Sequence, residues 1–208
     1  MRQVYAGIAV AAMVGLIAGS ILYVRVQRSG DPFADCRGGQ VGGGSIGGPF
    51  TLVDENGATV TERDVITGPT LVYFGYTFCP DVCPTDAARN ADAADLLAKS
   101  GILAKQLFIT IDPRRDTPEV LRDFTGNLHD DLIGLTGTEA QVKAASDAYR
   151  NYYKVRNPDD EYYLMDHTTL TYLMQPAADG APAFLDFFKS GVTAQDMAAR
   201  VACYAAAG

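Results

Sequence analysis

Residues 73–84 read YFGYTFCPDVCP, and the fold turns on how that stretch is divided. Residues 70–76, TLVYFGY, are apolar and aromatic, the composition of a buried strand. Cys79 and Cys83 follow, and from Pro84 to about residue 99 apolar positions recur with helical period. Proline is well tolerated at the first position of a helix, because its missing N–H would have had no intrahelical partner there. Cys83 is thus expected at or beside a helix cap, with Cys79 in the loop before it. The unpaired N–H groups and positive end of a helix favour the thiolate, which is both nucleophile and metal ligand. By spacing alone the C-x-x-x-C pair reads equally as a plain structural disulfide or as two inert thiols.

Working outward, residues 50–54 and 58–60 flank Glu55-Asn56-Gly57 and read as a hairpin, since Asn-Gly supplies the positive φ angles of a tight turn. After the helix, residues 106–111 (QLFITI) form a second buried strand bounded by Asp112-Pro113. Thr117-Pro118-Glu119 starts a short helix, residues 132–135 a brief strand, and Thr138 with Gln141 makes a capping box for a helix to about Arg150. Residues 152–164 read as a strand pair around 157–160, residues 169–174 and 183–188 as another pair, and Thr193 caps a final helix. This order predicts a mixed sheet covered by helices: an α/β sandwich of thioredoxin type with a leading β-hairpin.

The 208-residue chain suffices for one ordinary domain with an appendage. Residues 4–24 carry no charge over 21 positions, about the thickness of a bilayer's hydrocarbon core when helical. They read as a transmembrane anchor; a cleaved signal peptide, with Ala18-Gly19-Ser20 as its cleavage site, is the competing reading. Residues 29–48 read as a flexible tether, with seven glycines between 38 and 48. The expected division is an anchor over 1–28, a tether over 29–48 and a folded domain over 49–208. Of 17 basic residues three (Arg2, Arg25, Arg28) precede Asp31, which leaves 14 against 25 acidic ones, a formal −11. So acidic a surface argues against nucleic acid as a partner. No Arg- and Ser-rich presequence precedes the apolar run, which points to a bacterial inner membrane with the soluble domain in the periplasm.

Of the two histidines, His129 lies in a polar loop (NLHDD) and reads as a solvated surface residue. His167, in MDHT, falls between two expected strands, a loop position where side chains converge. Taken together, YFGYTFCPDVCP, TIDPRRDTP (110–118), GLTGT (134–138) and MDHTTLTYLM (165–174) resemble the Sco/SenC/PrrC family of membrane-anchored copper proteins. The resemblance covers about residues 50–203. It implies a thioredoxin-like fold, ligands at Cys79, Cys83 and His167, binding of Cu(I) and Cu(II), and delivery of copper to the binuclear copper site of cytochrome c oxidase. An upstream copper donor, the copper-accepting oxidase subunit and the membrane are then the expected partners. Phe78 departs from the family pattern, which often has histidine there.

The chemistry of the residues agrees, since two thiolates and an imidazole suit copper and soft sulfur selects Cu(I). Asp166 is a candidate acceptor orienting the histidine ring. Asp112 and Asp116 are candidates for shaping the site's rim, turn-making being the alternative, and Asp81 is either a rim charge or an exposed turn residue. Cys36, which lacks a lipidation pattern, and Cys203 remain as a pair that an oxidising periplasm can join. The competing function is a thiol-disulfide oxidoreductase using Cys79 and Cys83 on envelope proteins, since this fold hosts both. The wider thiol spacing and His167 favour a metal carrier over an enzyme.

Overall fold

A computed structural model describes residues 2–29, 33–37 and 46–207. The chain begins with α1 (Arg2–Ser29). A hairpin, β1 (Thr51–Asp54) and β2 (Thr59–Thr61), leads to the one-turn α2 (Glu62–Val65), which the sequence reading had not anticipated. Then follow β3 (Thr70–Gly75), α3 (Val82–Ala98), β4 (Lys105–Thr110), α4 (Pro118–Gly126), β5 (Leu132–Thr136) and α5 (Glu139–Ala148). A small pair, β6 (Tyr153–Val155) and β7 (Met165–His167), precedes β8 (Leu170–Pro176), β9 (Pro182–Lys189) and α6 (Ala194–Ala207).

The main sheet runs β2-β1-β5-β4-β3-β8-β9. Its centre is parallel, β3 beside β4 and β4 beside β5, while the hairpin and β8–β9 add antiparallel strands on either side. Every residue of β3 is buried, as a strand covered on both faces must be. Leu71 packs with Leu97, Leu173 and Val201 beneath α3 and α6, and Phe124 from α4 meets Phe108 on that same face. On the opposite face Phe74, Tyr149 and Tyr172 form an aromatic cluster with centroids 5.2–6.2 Å apart, closed by α5. This is the expected α/β sandwich with its leading hairpin.

Three local details differ from the sequence reading. The hairpin loop is Glu55-Asn56-Gly57 as expected, but of Asn56 and Gly57 only Gly57 takes positive φ, +83°, and its N–H donates to Asp54 O. That is a β-turn followed by a left-handed glycine. Helix α3 starts before Pro84, with Asp81 at its cap and Cys83 inside the first turn. Proline fits there because the first four N–H groups of a helix lack intrahelical acceptors, and the first intrahelical bond, Thr85 N–H to Asp81 O, comes after it. His167 stands on a strand rather than in a loop, opposite Tyr153 in the β6–β7 pair.

The segment expected to be a tether is held at two points. Cys36 is disulfide-bonded to Cys203 of α6, and Phe33 packs 5.3 Å from Tyr204. Further on, Gly47 N–H donates to Ala148 O at the end of α5 (2.9 Å). Its glycine-rich centre, residues 38–45, lies outside the described residues. Helix α1 exposes Met13, Leu16, Ile17 and Leu22. Among the described residues, no helix is long and apolar enough to cross a membrane.

Candidate metal centre

Three elements converge beyond the C-terminal end of β3. The loop after it carries Cys79, whose N–H donates to Tyr76 O (3.2 Å). The first turn of α3 carries Cys83, and the end of β7 carries His167. Cys83 is wholly buried and Cys79 is 8% exposed; both are free thiols. Cys79 Sγ accepts the Cys83 N–H (3.4 Å), so sulfur satisfies one of the unpaired donors of the helix terminus. Cys83 Sγ lies 3.3 Å from His167 Nε2. The two sulfurs and a ring nitrogen all fall within 4.8 Å of one another. Thiolate and imidazole donors sit about 2.0–2.3 Å from a metal, so ligands of one ion lie within about 4.6 Å of each other. The triad is therefore within a few tenths of an ångström of a metal-bound spacing.

The histidine is prepared as a ligand. Its Nδ1 lies 2.9 Å from Thr168 O, and because a carbonyl only accepts, Nδ1 carries the proton. Nε2 is left with its lone pair towards Cys83. Burial lowers the ionisation range of His167, which favours the neutral ring. The edges of Tyr73 and Tyr76 clasp that ring, with centroids 6.3 and 6.0 Å away and planes nearly perpendicular. Burial also pushes the Cys83 thiol far above its ordinary range, against the pull of the Tyr76 backbone, so the metal-free site holds a neutral thiol. Gly75 gives Cys83 its room: a Cβ there would lie 3.0 Å from the sulfur and 2.9 Å from Tyr73 Cε1.

The predicted aspartates do different work. Asp166 points to Arg156, which lowers its ionisation through a side-chain hydrogen bond, so the acceptor that orients the histidine ring is the Thr168 carbonyl. Neighbours on a strand face opposite sides, which explains why the residue adjacent to His167 misses its ring. Asp112 is buried and binds Arg115 Nε (2.5 Å) and the Tyr163 hydroxyl (2.8 Å). Asp116, fully buried, takes the backbone N–H and hydroxyl of Thr77, two residues before Cys79. Asp81 caps α3 without a side-chain cap bond and is exposed.

Phe78, where the family pattern often has histidine, is 46% exposed and stacks on Tyr162. The Arg115 guanidinium lies 4.7 Å from its ring and 3.7 Å from that of Tyr163. The rim is thus aromatic and pinned by one arginine, a feature sequence reading missed because its members are far apart in the chain. His129 is partly exposed at the surface, where Nδ1 accepts the Asp131 N–H (3.1 Å) and Nε2 lies 3.3 Å from Asp95. It lines a cleft of about 380 Å³ with Lys105 and Ile133, at the opposite end of the parallel strands from the cysteines.

Known proteins resemble this chain along most of its length. The family model described as SCO1/SenC matches residues 39–206. Protein SenC of Rhodobacter capsulatus is 50% identical over 197 residues, covering 94% of this chain and 87% of the relative. The crystal structure of Arabidopsis thaliana ScoI with copper bound superposes with a TM-score of 0.72 at 34% identity, over 78% of this chain and 99% of that one. Bradyrhizobium japonicum ScoI with copper bound gives 0.68 at 38% identity, over 77% and 99%. The chain belongs to the SCO1/SenC family.

Proposed function

We propose that this protein is a copper metallochaperone, which holds copper through Cys79, Cys83 and His167 and passes it to the binuclear copper site of cytochrome c oxidase. The observation that carries the reading is the convergence of two free thiols and a lone-pair nitrogen within 4.8 Å. Soft sulfur suits Cu(I), and the imidazole extends the site to Cu(II). Three donors rather than a closed four-ligand cage leave an open position through which an acceptor's ligand can enter as one of these leaves. Copper-bound ScoI structures of two relatives and the family membership support it.

The same reading makes α1 a membrane anchor that holds the domain on the periplasmic side of a bacterial inner membrane. Its exposed apolar side chains support this, because they find no cover in the folded domain. An upstream donor loads the site and the copper-accepting oxidase subunit empties it. The protein acts as a carrier rather than an enzyme. Thiol-disulfide exchange by Cys79 and Cys83 is the second reading, favoured by the sulfurs lying close enough for the Cys83 N–H to reach Cys79 Sγ.

The test is copper stoichiometry under reducing, anaerobic conditions, comparing the parent with His167→Ala. One copper per chain through two sulfurs and a nitrogen, with the nitrogen lost in the variant, is the expected result. Failure to hold copper, together with rapid reduction of a model disulfide, would replace the carrier by an oxidoreductase.

A further inference from the structure

We propose that the Tyr73 hydroxyl is a positioning group for the metal centre, donating a hydrogen bond to the Cys83 thiolate when a metal is bound. The proposal rests on the reading of Cys83 as a metal ligand and adds a residue to that site. Tyr73 lies on β3 and is 1% exposed, and its hydroxyl is buried without a hydrogen-bond partner. Leaving a buried hydroxyl unpaired is costly, and phenylalanine would fill the same space without that cost. Phe108, its neighbour across the sheet on the same face, shows that the core accepts phenylalanine there.

The location of the hydroxyl supplies the reason. A methyl group on Gly75 would touch both Tyr73 Cε1, the ring carbon next to the hydroxyl-bearing one, and Cys83 Sγ, so phenol and sulfur border the same small space. Tyr76, the other tyrosine against His167, has its hydroxyl engaged by the Met165 N–H (3.2 Å). Tyr73 alone of the two has no such partner.

A neutral thiol is a poor acceptor and a thiolate a good one. When a metal holds Cys83 as the thiolate, negative charge appears in the small space that the unpaired hydroxyl also borders. The bond is therefore strongest in the metal-bound state. It draws electron density from the sulfur, and hydrogen bonding around a cysteine sulfur tunes the copper it binds.

The experiment compares the 208-residue chain with Tyr73→Phe, each loaded with Cu(II) and, separately, with Cd(II). The readouts are the energy of the sulfur-to-metal charge-transfer band, affinity by chelator competition, and thermal unfolding of the metal-free chain. We expect the band to move to lower energy with both ions and affinity to fall about tenfold or more, as for loss of a hydrogen bond to a charged acceptor. The metal-free variant should unfold at the same temperature or higher. Unchanged bands and affinities would overturn the proposal. So would a metal-free variant that loses stability with its bands unmoved, which would make the hydroxyl structural only. A parent chain that takes Cd(II) but not copper would sink the copper reading, while the cadmium band would still decide the role of Tyr73.

Discussion

Asp116 offers a sharp test of how the Cys79 loop is held. Its carboxylate accepts the Thr77 N–H (3.0 Å), the Thr77 hydroxyl (2.6 Å) and the Thr110 hydroxyl (2.6 Å), so the loop before Cys79 hangs from one fully buried side chain. Asp116→Ala removes every acceptor and leaves the Thr77 N–H with none, at about 2–4 kcal/mol. Asp116→Asn keeps one oxygen for the N–H and the Thr110 hydroxyl. Its amide can donate to Thr77 Oγ once that hydroxyl turns, and the loss should be about 1 kcal/mol.

With a urea m-value of about 2 kcal/mol/M, the alanine variant should unfold about 1–2 M earlier, and the asparagine variant about 0.5 M earlier. Copper affinity should fall in the first and hold in the second. Asp116 also gives a pH signature. Burial raises its ionisation above the ordinary carboxylate range, against its hydrogen bonds. The native chain therefore keeps a proton that the unfolded chain releases, and the associated stability is present below the ordinary value, about pH 4. As pH rises from there through the raised value, the parent should lose stability relative to Asp116→Asn, which cannot titrate. Alanine and asparagine variants that unfold at the same urea concentration would refute the reasoning.

Other consequences are as direct. Gly75→Ala would force a methyl group to 2.9–3.0 Å from Tyr73, Cys83 and Phe108; we expect about 1–3 kcal/mol of destabilisation and weaker metal binding, and wild-type copper affinity with an unmoved sulfur would count against it. Cys203→Ser opens a disulfide joining residues 167 positions apart and should cost about 2–5 kcal/mol in urea unfolding, whereas an unchanged midpoint would show the staple to be idle. Because burial holds the Cys83 thiol protonated well above its ordinary range, copper loading near neutral pH must expel that proton. Acidification of a weakly buffered solution on copper addition is the expected signal, with apparent affinity rising with pH; loading without proton release would argue against Cys83 as a ligand.

Much of this molecule is written locally. The strand before Cys79, the helix after it, the Thr117 and Thr138 caps and the leading hairpin follow from period and cap chemistry, which depend on residues a few positions apart. The three converging donors are legible through motif blocks, while spacing alone leaves the thiols open to a plain disulfide. The start of α3 is not legible locally, because proline is tolerated throughout the first turn and composition cannot choose the cap. His167 reads as a loop residue in the sequence because a three-residue strand leaves no periodic trace.

Other features came from packing alone. Asp116 meets Thr77 across 39 residues and Tyr163 meets Asp112 across 51, whereas Asp166, adjacent to the histidine, turns to Arg156. Sequence adjacency on a strand guarantees opposite faces, not shared work. The chain's own residues determined which groups are able to bind a soft metal. Only the tertiary structure decided which carbonyl holds the ring, which glycine makes room for the sulfur and which hydroxyl waits beside it, because those partners are brought together by long-range burial that no local pattern encodes.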